Sequence, residues 1–119
     1  MKTIPIYDAT APITCTATSA EVPVRIEQID RMRSNLDRIE RTEHGMLLHF
    51  PNRRDIEADL RKFTSEENAC CQFWGFDITT QPGELILRWD APPTLDDYIS
   101  RLVTFFEGDE PLTAGSGLL

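Results

Sequence analysis

The sequence predicts a small α+β fold, a two-layer sandwich with a mostly antiparallel sheet of about four strands and helices on one face. Three observations carry this. Segments with helical spacing of apolar residues alternate with short period-two segments, in the order strand, helix, strand, helix, strand, strand, helix. The last two strands flank Gln81-Pro82-Gly83-Glu84, with proline and glycine where a type II turn places them. A chain of 119 residues that is 40% hydrophobic is long enough to bury one core without staples. The organisation read from these signals is an arm over 1–12, a single domain over 13–107 and a flexible tail over 108–119.

The elements follow in order. Ile13, Cys15 and Ala17 alternate with Thr14, Thr16 and Thr18, which predicts a strand with Cys15 on its buried side. Thr18 and Glu21 have capping-box spacing, and Pro23 is tolerated only in a first helical turn. A long helix is expected from there to about Thr42, with Ile26, Ile29, Met32, Leu36 and Ile39 as its core stripe. Gly45 interrupts it. Met46, Leu48 and Phe50 then alternate with Leu47 and His49 in a strand that Pro51 ends. Asn52 and Asp55 mark a second helix start. Beyond that helix, Trp74, Phe76 and Ile78 form one side of a strand and Leu85, Leu87 and Trp89 one side of the next. Pro92 and Pro93 stop the hairpin. Thr94 is the expected cap of a closing helix with Tyr98, Ile99, Leu102, Val103 and Phe106 on its apolar face.

A net charge of −8 opposes phosphate backbones, so no nucleic acid is expected as a partner. No apolar run approaches the ~18 residues of a membrane span, and the N-terminus lacks the apolar centre of a secretory signal. Three cysteines, two of them adjacent, fit reduced or metal-bound thiols in a cytoplasmic protein better than a secreted disulfide framework. A homodimer is compatible with all of this.

The chemistry concentrates where the second helix meets the third strand. Ile56, Leu60, Phe63, Glu67 and Cys70 share one helical stripe, so a carboxylate stands one turn before a thiol on a face that should pack inward. Cys70 and Cys71 could bind a soft ion or do redox chemistry. They could equally be small core hydrophobes. Cys15 could meet them across the core, making a trigonal site of three thiols or a site of two thiols with Glu67, or it could simply be packing. Phe73, Trp74 and Phe76 could wall a pocket or belong to the core. His49 reads as exposed rather than as a ligand, and His44 as a helix-end residue. There is no C-x-x-C, no zinc spacing and no phosphate loop.

Cys15-Thr16, the Arg-rich helix, Glu67-x-x-Cys70-Cys71-x-Phe73, Phe76-x-Ile78 and the Pro-Gly turn together resemble a group of small bacterial, actinobacterial-type domains, some fused to mercury-responsive-type regulators. The resemblance spans Ile13 to Gly108. It implies that Cys15, Glu67, Cys70 and Cys71 correspond to that group's recurrent positions. The group usually has proline after the cysteine pair, where this chain has Gln72. A local likeness to organomercurial lyases, in Cys15-Thr16-Ala17-Thr18 and Cys70-Cys71, lacks the Cys-x-x-Asp element of lyase chemistry, so it implies no such activity.

Three readings remain open. The first is thiol-based binding of a soft metal or metalloid ion (Hg, As or Cu type) through Cys15, Cys70, Cys71 and Glu67. The second is a small thiol-dependent enzyme acting on a small molecule with Glu67 as proton acceptor. The third is a structural or interaction domain with core cysteines. No resident cofactor other than such an ion is called for.

Overall fold

The computed structural model describes residues 4–12 and 21–108. The strand expected over 13–17, the Thr18–Glu21 capping box and the tail beyond Gly108 lie outside the described residues. Helix α1 spans Glu21–Asn35, strand β1 Arg38–Arg41, β2 Gly45–Pro51, α2 Arg54–Cys70, β3 Gly75–Gln81, β4 Glu84–Asp90 and α3 Asp96–Glu107. The four strands form one antiparallel sheet in the order β1-β2-β4-β3. The α+β class, the antiparallel sheet and the helices on one face are as the periodicities predict.

Period two decides which side of the sheet turns inward. Met46, Leu48 and Phe50 of β2 and Leu85, Leu87 and Trp89 of β4 are all 2% exposed or less. Each such burial contributes about 1.5–3 kcal/mol, and a one-residue slip would turn the whole set to water. Against this face pack Ile29 and Met32 of α1, Ile56, Leu60 and Phe63 of α2, and Ile99, Leu102 and Phe106 of α3.

Three boundaries differ from the sequence expectation. The first helix stops at Asn35, not near Thr42, and Arg38–Arg41 is strand. Ile39 fits either a helical stripe or a strand face. Pairing decides: Ile39 lies opposite Leu48, and the Asp37 N–H donates to the His49 carbonyl at 2.7 Å. Asn52 does not cap α2. Arg53 holds that position, while the Asn52 amide donates to the Gln81 carbonyl at 2.7 Å. Thr94 falls within a 3-10 turn, Pro93–Leu95, and α3 begins after Leu95. The Pro82-Gly83 turn is as expected, with Gly83 at φ 78°.

The segment 4–12 lies across one end of the sheet. The Ile6 N–H donates to Asp90 Oδ2 at 3.1 Å, and Arg88 Nη2 donates to the Ile4 carbonyl at 2.6 Å. A side chain at Gly75 would collide with the Ile6 backbone, so only glycine lets the arm approach there.

Candidate functional site

Two helices bring the site together. On α2, Ile56, Leu60 and Phe63 are buried apolar, and Glu67 continues their stripe at 8% exposure. Helix α1 runs antiparallel alongside, with Gln28 Nε2 donating to Glu66 and Arg31 Nε to Asp59 at 2.9 and 3.3 Å. At the deep end of this ladder Arg25, 5% exposed, places its guanidinium against Glu67. Nη1 donates to Glu67 Oε2, and Nη2 lies 3.9 Å from the Cys70 sulfur. One guanidinium therefore contacts both the carboxylate and the thiol.

The other carboxylate oxygen is also engaged. Trp74 Nε1 donates to Glu67 Oε1 at 3.2 Å. The chain reaches that position through a tight connection after α2. The Cys71 N–H donates to the Glu67 carbonyl at 2.7 Å, the Trp74 N–H to the Cys71 carbonyl at 3.3 Å, and the Asn68 amide to the Trp74 carbonyl at 2.8 Å. Glu67 thus anchors the helix end with its backbone and the following loop with its side chain.

Burial would depress the Arg25 guanidinium. The Glu67 carboxylate, with help from Cys70, outweighs this and holds it above its ordinary value. Tyr98 of α3 closes another side, its ring 5.7 Å from that of Trp74. Burial, then the charge of Glu67, pushes its phenol up to about 12.

The predicted site residues are distributed as follows. Glu67 and Cys70 share the Arg25 guanidinium. Cys70 is half-buried, whereas Cys71 is 2% exposed and disulfide-bonded, so the expectation of reduced or metal-bound thiols does not hold for Cys71. Cys15 lies outside the described residues. Among those residues, no three His, Cys, Asp or Glu side chains form a group that could hold a metal ion. Phe73 and Trp74 are core, 4% and 5% exposed. Phe76 packs on Trp89 at 5.0 Å and also lines a separate open hollow with Ile78 and residues of α2.

Both histidines depart from expectation. His49 does face away from the core, but it is 4% exposed, enclosed by the carboxylates of Glu40 and Glu84. His44 lies in the turn between β1 and β2, not at a helix end, and its carbonyl accepts the Ala91 N–H at 2.8 Å.

Sequence reasoning missed Arg25 as a site residue, and placed Tyr98 only on an apolar helix face. A signal for Arg25 exists. Arg25, Ile29, Met32 and Leu36 repeat the helical spacing that singles out Glu67 on α2. Opposite charges in the core stripes of two helices point to a pair, because either alone would be costly to bury.

No family model, curated protein or solved structure matches this chain. Among the described residues no helix is long and apolar enough to cross a membrane.

Proposed function

We propose that the junction of α2 and β3 is a thiol site for a soft metal or metalloid ion of the Hg(II), As(III) or Cu(I) type, in a cytoplasmic protein. Cys70 and Cys71, with Cys15, supply the sulfur ligands, and the site is competent once a dithiol reductant has returned Cys71 to its thiol. Reduction transfers two electrons and two protons to the protein disulfide and oxidises the reductant to its own disulfide. The observation that carries the reading is the shared guanidinium. A half-buried sulfur, one residue from a second sulfur, stands against a cation that Glu67 holds in place. Soft ions bind deprotonated sulfur, and a thiolate bound to such an ion would lie beside the Arg25 guanidinium.

In this reading Glu67 is not a ligand. Both its oxygens accept hydrogen bonds, from Arg25 and Trp74, so it acts on the ion only by fixing Arg25 beside the sulfur. The same engagement argues against a thiol enzyme that uses Glu67 as its proton acceptor. The likeness of Glu67-x-x-Cys70-Cys71 to domains fused to mercury-responsive regulators supports the same reading.

The test is a titration of reduced and oxidised protein with Hg(II), arsenite and Cu(I), followed by sulfur-to-metal charge-transfer absorbance. Reduced protein should take up at least one of these ions stoichiometrically, with release of protons. Oxidised protein and the Cys70→Ser variant should not. Absence of uptake by the reduced protein overturns the proposal.

A further inference from the structure

The two edges of the sheet are built differently. Strand β1 has four residues, three of them charged: Arg38, Glu40 and Arg41. Short length and charge are the usual defences of an edge against pairing with another strand. Strand β3 has neither. It runs seven residues, GFDITTQ, with one charge, no lysine and no proline, and it pairs with β4 continuously from Gly75 to Gln81 without a bulge. Among the described residues no strand pairs with its other side, and Asp77, Thr79, Thr80 and Gln81 are exposed.

The turn determines which backbone groups point outward. Gln81 and Glu84 close a two-residue loop, and the closing pair of such a hairpin is hydrogen-bonded. Alternation then directs the amides of Gln81, Thr79, Asp77 and Gly75 at β4. Those of Phe76, Ile78 and Thr80 face the open side. These three positions are symmetric about Ile78.

We propose that β3 is the self-association edge of this protein, pairing antiparallel with β3 of a second copy about a two-fold axis at Ile78. Phe76 then lies opposite Thr80 of the other copy and Ile78 opposite its own equivalent, so all outward groups of the three residues are bonded. The strand's only charge, Asp77, meets the neutral hydroxyl of Thr79. Centring on Asp77 instead would oppose two carboxylates and aim the wrong amides at each other. The two-fold runs perpendicular to the sheet, so the helices of both copies lie on one side. The open hollow of about 370 Å³ beside β3, lined by Arg61, Thr64, Ser65, Asn68, Phe76 and Ile78, then faces its equivalent. That covers the two half-buried apolar residues of the strand. A second copy is the occupant that satisfies this register, because the complementarity is of β3 with itself.

Sedimentation equilibrium of the full chain from micromolar to millimolar concentration tests the proposal. The wild type should show a monomer–dimer equilibrium. Thr80→Pro removes an outward amide and no amide used by β4, so the dimer should be lost with the hairpin intact by circular dichroism. Thr79→Asp places like charges opposite each other twice per dimer and should weaken association by about tenfold. Adding Asp77→Lys to Thr79→Asp should restore it. A protein that stays monomeric throughout overturns the proposal. A dimer indifferent to both Thr80→Pro and Thr79→Asp overturns it as well.

Discussion

Two clusters of ionisable side chains, each with a buried member at its centre, sit on opposite sides of the same sheet. On the helical side, Arg25 and Glu67 have side chains 6% and 10% exposed and share their remaining contacts with Trp74 and Cys70. On the other side, His49 is just as buried, with Nε2 2.9 Å from Glu40 and Nδ1 bonded to Glu84. Its partners, however, are 47% and 32% exposed, and Arg38 reaches both of them. In the first cluster both charges have lost water. In the second, the carboxylates can rehydrate if the histidine is removed. Solvent access to the partner, not burial of the central residue, decides what each cluster is worth.

The largest expected effect comes from breaking the dry pair. Glu67→Gln leaves Arg25 charged, buried and uncompensated, and should lower stability by ~3–5 kcal/mol in urea unfolding. Converting both partners, as Arg25→Met with Glu67→Leu, should recover only part of that loss, since the apolar pair removes the buried charges but leaves the buried Trp74 Nε1–H without its acceptor. A double variant as unstable as Glu67→Gln would show that the pair stabilises the fold beyond compensating its own burial.

Tyr98 probes the same cluster at alkaline pH. Its phenol lies at about 12 in the folded protein, above the ordinary 10.0, because burial and Glu67 disfavour its anion. A group raised in the folded state stabilises fully below its unfolded value and loses that contribution as pH rises through the folded one. Stability should therefore fall between about 10 and 12. Tyr98→Phe should flatten this fall, and tyrosinate absorbance of a Tyr7→Phe protein should appear only near the top of that window.

The wet cluster should respond far less. His49→Leu is expected to cost at most about 1 kcal/mol in the same urea assay, because Glu40 and Glu84 regain water and keep Arg38. A loss as large as that of Glu67→Gln would erase the distinction drawn here. The smallest effect belongs to Glu40. Hydrogen bonds from His49, then Arg38, hold its carboxyl below the ordinary 4.5. Its contribution is present above the unfolded value and is lost as pH falls through the folded one. Glu40→Gln should make the acid side of a stability–pH curve slightly shallower and leave neutral stability almost unchanged.

The same contrast shows what could be read before folding. The stripe Ile56, Leu60, Phe63, Glu67 exposed the anomaly on α2 directly, since helical spacing is local. Its partner is 42 residues away on another helix, and periodicity says which face is apolar but not which faces meet. For His49, alternation placed the side chain off the core correctly. It could not reveal that Glu40 from β1 and Glu84 from β4 would close over it, because cross-strand register is not local.

The α+β class, the inward face of β2 and β4, the Pro82-Gly83 hairpin and the outlier Glu67 follow from spacing and turn chemistry, forces acting within a few residues. Tertiary contact alone decided that Arg38–Arg41 is strand rather than helix and that Arg25 neutralises Glu67. Each of these is a choice between locally similar alternatives. A segment beyond the local window resolves it by supplying the missing hydrogen bond or counter-charge.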